Sequence, residues 1–116
     1  MATNDEVEVF LKDFKVKMGV FSIVFKDDRG KNRQALLDLG ITPIDRVEYI
    51  KQLKVKNYFK GPTENYENNA AGSLWEYGTD VNSKDVYIKI TMGMKNKPVI
   101  CISFHIAEYP IVYPYK

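Results

Sequence analysis

Four short stretches carry residue types that could break a phosphodiester bond: Tyr58-Phe59-Lys60, Trp75-Glu76, Tyr87-x-Lys89 and Ser103-x-His105. His105, the sole histidine, and Glu76 are the acid–base candidates. Lys60 and Lys89 are cations for a phosphate, and the phenol of Tyr87 can orient or protonate. Attack of a ribose 2′-hydroxyl on its neighbouring phosphate needs that set: proton removal, protonation of the leaving oxygen, and stabilisation of phosphate charge. No metal is required. Tyr58, Trp75 and Lys56 are further substrate-binding candidates. Each residue taken singly has a plainer role, the aromatics in packing and the charges in solvation. A Ser–His–acid triad is discounted, because Ser103 and His105 lie two apart on one strand, about 7 Å from each other, with no nucleophile elbow. Gly30-Lys31 lacks the rest of a phosphate-cradling loop.

The elements that must bring these residues together are strands, and the clearest are the last two. Val86, Ile88, Ile90 and Met92 alternate with Tyr87, Lys89 and Thr91; Ile100, Ile102, Phe104 and Ile106 alternate with Val99, Cys101, Ser103 and His105. Period-two alternation of β-branched and aromatic residues is a strand signal. Lys95-Asn96-Lys97 between the runs is turn chemistry, so they form an antiparallel hairpin. The most symmetric register that buries one face pairs Ile90 with Ile102 and Ile88 with Phe104. It sets Tyr87 opposite His105 and Lys89 opposite Ser103, with side chains about 5 Å apart on the face the core does not use.

Earlier in the chain, Val7, Phe10, Leu11, Phe14 and Met18 form an apolar helix stripe, with Asn4 as cap and Gly19 as terminator. Val20 to Phe25 reads as a buried strand. A turn over Asp27 to Gly30 leads to a helix from Asn32 to Leu39, ended by Gly40, with Ala35, Leu36 and Leu39 inside. Thr42-Pro43 starts a third helix with Ile44, Val47, Ile50 and Leu53 inside, ending near Lys54. Lys56 to Thr63 is a strand that stops at Gly61-Pro62. Glu64 to Gly72 is a polar loop, Leu74 to Thr79 a strand, and Asp80 to Asp85 its turn. Helix, strand, two helices and four consecutive strands predict an α+β domain over residues 1–116, its helices on one face of a small antiparallel sheet.

Composition sets the bounds. The 116 residues are 45% hydrophobic and 28% charged, ordinary values for a globular domain. The N-terminus has no basic start followed by an apolar stretch, so no signal peptide is expected. No run approaches the ~18 apolar residues of a membrane span. One Cys and one His exclude a zinc site built on those ligands, and a lone Cys suits a reducing cytoplasm. No cofactor is called for. The net charge of +2 hides segregation: Lys51, Lys54, Lys56 and Lys60 lie in one stretch without an acid. Such a stretch can attract phosphate, although on charge alone a solvated helix end and loop is the plainer explanation.

The order LLDLGI, a helix, NYFKGPT, SLWEYG, DVYIKI and ICISFH resembles the MqsR family of bacterial toxins, roughly from Leu36 to His105. Those toxins are small sequence-selective messenger-RNA endonucleases of the RelE-like fold, held inactive by a cognate antitoxin. The resemblance implies that fold, a metal-independent RNA endonuclease activity leaving a cyclic phosphate, and messenger RNA and an antitoxin as partners. The family's first Lys falls on Lys60 and its Tyr on Tyr87. Its Gln falls on Glu76 and its final Lys on His105, so two of four positions differ. The carboxylate of Glu76 repels phosphate unless it acts as a base or pairs with a Lys. Tyr109, Tyr113 and Tyr115, interleaved with Pro110 and Pro114, are expected to contact the antitoxin or a second copy in a homodimer; a tail folded over the chain's own helices is the competing expectation. The competing function is a non-catalytic RNA-binding or protein-interaction module.

Overall fold

A computed structural model describes residues 1–64 and 72–116. Most of the polar loop expected between Glu64 and Gly72 lies outside the described residues.

Helix α1 (Asn4–Phe21) is capped one residue earlier than expected. The Thr3 side chain accepts from Glu6 N at 3.2 Å, and Glu6 Oε1 accepts from Thr3 N at 2.8 Å, a reciprocal capping box. The helix runs through Gly19 and stops at Ser22, which takes the left-handed role at φ 71° and donates its N–H to Met18 O. Gly19 therefore does not end α1. One interior glycine costs about 1 kcal/mol, which the burial of Met18 outweighs. The predicted strand from Val20 shrinks to β1 (Ile23–Phe25), and Val20 is exposed on the end of α1.

Helix α2 (Gly30–Leu39) is closed by Gly40 at φ 67°, as its sequence predicts. Helix α3 (Asp45–Lys51) starts later and stops earlier than expected. The Asp45 carboxylate accepts from Thr42 N at 2.8 Å, so the caps exchange roles. Ile44 is left outside, 71% exposed, and Arg46 turns inward instead. Its guanidinium lies 3.9 Å from the Phe25 ring centroid and bonds Asp27 at 2.7 and 2.9 Å.

A 3-10 turn (Val55–Asn57) leads into β2 (Tyr58–Thr63), followed by β3 (Leu74–Val81), β4 (Lys84–Thr91) and β5 (Val99–Ile106). The order β1-β5-β4-β3-β2 makes β2 an edge strand, which is why it continues through Pro62. The turn between β3 and β4 is tighter than predicted: Asn82 and Ser83, at φ 51° and 71°, make a two-residue hairpin. The sheet is mixed rather than wholly antiparallel, because β1 pairs in parallel with β5. Beyond β1, the free edge of β5 is closed by the buried Asn32 of α2. Its side-chain amide donates to Ile102 O at 2.9 Å and accepts from Phe104 N at 3.1 Å.

The hairpin register places Tyr87 opposite His105, Ile88 opposite Phe104 and Lys89 opposite Ser103. One predicted pair fails. A bulge sets Ile90 opposite Cys101 instead of Ile102. Toward the turn the alternation is thereby inverted: Val99 and Cys101 are buried and Ile100 is not. The core joins Val7, Phe10, Leu11, Phe14 and Met18 of α1 to Tyr77, Ile88, Ile90 and Phe104 of the sheet.

The tail folds over neither the helices nor empty space. A Cβ on Gly78 would lie 2.4 Å from Tyr113 Oη and 2.6 Å from Ile111 Cδ1, so the tail crosses the face opposite the helices. Tyr115 then stacks on Tyr58, rings 5.7 Å apart, and its hydroxyl donates to Ala2 O at 2.5 Å.

Candidate functional site

The open face of the sheet carries two rows of side chains. Lys60, Glu76, Lys89 and Ser103 form the first, one from each of β2 to β5. Gly78, Tyr87 and His105 form the second. Their neighbours Tyr77, Ile88 and Phe104 are fully buried in the core, which fixes these rows on the other side. A cleft of about 570 Å³ lies over them. Residues Arg29 to Asn32 at the start of α2 wall it on one side, and residues 107–111 of the tail on another.

Within the cleft Glu76 is the hub. It is 8% exposed, and its Oε1 accepts the hydroxyl hydrogen of Tyr87. Its Oε2 lies 3.9 Å from Lys60 Nζ. A carboxylate held between a phenol and an ammonium is an orienting group. His105 is half-buried, its ring centroid 5.4 Å from that of Tyr87 and tilted by 40°. Its Nδ1 lies 2.9 Å from Ile106 O. In the neutral ring, an Nδ1–H donating to that carbonyl leaves the Nε2 lone pair for a substrate. Lys89 is half-buried beside Ser103, which is 5% exposed and whose hydroxyl has no hydrogen-bond partner among the described residues. At the rim, Lys31 Nζ bonds Glu108 Oε1 at 2.5 Å. That bond holds the Glu108 carboxyl below its usual range.

The structure brings together His105, Tyr87, Lys60, Glu76 and Lys89, and separates the other three predicted residues. Trp75 pairs with Ile90 and stacks on Phe10 with centroids 4.1 Å apart, on the core side. Its adjacency to Glu76 forbids a shared face, since neighbours on a strand point opposite ways. Tyr58 is fully buried opposite Tyr77. A register shift between Tyr58 and Lys60 brings Phe59 to the cleft in its place. Lys56 is exposed on the 3-10 turn, in a separate groove with Lys51, Lys54 and Lys116. Two cleft features escaped the sequence: the start of α2 and the acidic residue Glu108 in the tail just past β5. Both arrive through tertiary contacts that no spacing encodes.

Among the described residues, no three His, Cys, Asp or Glu side chains cluster as metal ligands would. Among the described residues no helix is long and apolar enough to cross a membrane. No family model, characterised protein or solved structure matches the chain.

Proposed function

We propose that this chain is a metal-independent RNA endonuclease of the RelE-like, MqsR kind, a toxin neutralised by a cognate antitoxin. The observation that carries the reading is the convergence of His105, Tyr87, Glu76, Lys60 and Lys89 on one cleft, from four strands. The MqsR resemblance of the sequence supports it independently through Lys60 and Tyr87. In this scheme His105 Nε2 takes the proton of a ribose 2′-hydroxyl. The freed oxygen attacks phosphorus, the bond to the 5′-oxygen breaks, and a 2′,3′-cyclic phosphate remains. Lys89 offsets charge on the non-bridging oxygens. Lys60, steered by Glu76, protonates the leaving 5′-oxygen, and Tyr87 holds the imidazole plane. An antitoxin would act by covering this cleft.

His105→Ala should lower cleavage of a synthetic RNA by roughly 10²–10⁴-fold with the fold intact. His105→Lys should retain more activity than Ala, because a cation there still stabilises the phosphate. EDTA should leave the rate unchanged. Full activity of His105→Ala would place the chemistry elsewhere. A second reading, a binding module on the same fold, is favoured by one observation: Glu76 engages Lys60 and Tyr87, the two groups expected to serve a phosphate. RNA bound tightly but never cut by the wild-type chain would select it. Growth arrest on induction, relieved by a neighbouring DNA-binding protein, would select the toxin.

A further inference from the structure

His105 borders two hollows rather than one. Besides the cleft, a groove of about 470 Å³ runs along the flank of α2 toward the end of β5. Gly30, Lys31, His105 and Glu108 line both, so they form the sill between them. The ion pair of Lys31 with Glu108 spans that sill, and its side chains are 66% and 49% exposed. A pair so open to water contributes little, so it can part for a strand passing over His105. Beyond the sill, Lys31, Gln34, Ala35 and Asp38 fall at i, i+3, i+4 and i+7 of α2 and share one face. Buried Ala35 and half-buried Ile106 give the groove an apolar lining. Gln34 Nε2 donates to Asp38 Oδ1 at 3.0 Å, which holds both side chains along the helix. Gln34 Oε1 and Asp38 Oδ2 make no hydrogen bond among the described residues. Two held acceptors therefore stand beside an apolar surface, next to the imidazole that the proposed chemistry uses.

We propose that this groove takes the base of the nucleotide adjoining the scissile phosphate and selects bases that carry an exocyclic amino group. The substrate rests on the nuclease reading above, whereas the preference for an amino-bearing base is tested by binding alone. An apolar surface suits the ring face of any base, and a few placed polar groups then choose among them. Here the two acceptors choose. Adenine, cytosine and guanine each present an amino group on the Watson–Crick edge, from which a carboxylate accepts. Uracil has none, and the carbonyl oxygens flanking its one N–H are repelled by a carboxylate. The sugar–phosphate chain then crosses the sill, displaces Glu108 from Lys31 and brings its 2′-hydroxyl to His105 Nε2. The rest of the strand lies in the cleft beside Lys89 and Lys60. Support of α2, the plainer role of an i, i+4 pair, accounts for neither the groove nor its shared border with His105.

Two measurements on the full chain test this. In the first, a pool of RNAs with a randomised stretch is cut and the new ends are sequenced. The wild type should favour amino-bearing bases over uracil about tenfold at one position beside the cut. Asp38→Ala should erase the preference at that position alone. Asp38→Asn keeps an acceptor for Gln34 and turns an NH2 group toward the base, so it should shift the preference to uracil. Leu37→Ala, at a position 77% exposed and outside the groove, should change nothing. Gln34 and Asp38 are exposed, so the variants keep the fold, which their melting temperatures check. In the second, oligocytidine and oligouridine methylated at every 2′-oxygen, which 2′-hydroxyl attack cannot cut, are titrated and amide shifts followed. Oligocytidine should move Gln34, Asp38 and Ile106 and bind about tenfold tighter than oligouridine, a difference lost in Asp38→Ala. Groove amides unmoved by oligocytidine, or a base preference that Asp38→Ala and Asp38→Asn leave untouched, would overturn the subsite. If RNA is cut through His105 while Gln34 and Asp38 are silent in both measurements, the subsite fails and the nuclease reading stands. If oligocytidine is preferred at the groove and no RNA is cut, the subsite stands and the nuclease reading fails.

Discussion

On the proposed nuclease reading, Glu76 is the residue on which the chemistry turns. Where the MqsR pattern has a neutral amide, this chain places a carboxylate, and the structure places both its oxygens on partners, Tyr87 and Lys60. A group so engaged positions its neighbours better than it shuttles protons. Glu76→Gln should then keep the cleavage rate at saturating RNA within about tenfold of wild type, and release Lys60 to bind RNA more tightly. A fall of 10²–10⁴-fold, the scale of a lost general base, would instead make Glu76 the proton carrier. A second residue-scale prediction concerns Asp27 and Arg46. Hydrogen bonds from the buried Arg46 hold the Asp27 carboxyl below its ordinary value of 3.8. A depressed folded value means the pair stabilises the protein above that ordinary value and the contribution is lost as pH falls through the folded one. Acid titration of Asp27→Asn should show a flatter loss of stability, from a start about 2 kcal/mol lower, since Arg46 stays buried with a weaker partner.

At the scale of elements, the decisive feature is the tail crossing the sheet. Proline at 110 and 114 excludes a sixth ladder strand, yet Ile111, Tyr113 and Tyr115 find partners on the open face and at the β2 edge. Gly78 makes that passage possible, because any Cβ there would occupy the space of Tyr113 and Ile111. Gly78→Ala should lift the tail and cost about 1–3 kcal/mol, read as a lower melting temperature with altered Ile111 and Tyr113 resonances. The cleft would lose one wall in the same variant, so RNA binding should weaken alongside. An unchanged melting temperature would mean that the tail contributes little to the fold. Tyr109 and Val112, at 80% and 70% exposed, are the tail's exposed large apolar residues, where the proposed antitoxin contact through the tail would fall.

For the whole molecule, net charge says little and its placement much. A total of +2 with a sequence pI near 8.6 is unremarkable, but among the described residues Lys31, Lys60 and Lys89 line the cleft together with Arg29, Glu76 and Glu108. If two to four of these cations engage phosphates, the logarithm of the RNA association constant should fall against log salt with a slope of about −1.4 to −2.8. Filter binding across a salt series measures it. A slope near zero would move RNA off this cleft altogether.

By itself the sequence determined the element order, the inner stripe of α1, the Gly40 terminus of α2, and the pairing of Tyr87 with His105. These follow from periodicity and local turn chemistry, which act over a few residues and leave a readable pattern. Errors arose where a local rule met a longer-range contact. Gly19 stayed helical because Met18 is buried, Ile44 yielded to Arg46 because Asp27 and Phe25 stand ready for a guanidinium, and Ile90 slipped to Cys101 at a bulge. Trp75 was legible after all, since strand parity alone separates it from Glu76. Tertiary structure alone decided that β1 runs parallel to β5, that Asn32 seals the β5 edge, and that the tail and the start of α2 become the cleft's walls. Each joins residues some 70 positions apart or more in sequence, and contacts at such separation depend on how whole elements pack rather than on any spacing along the chain.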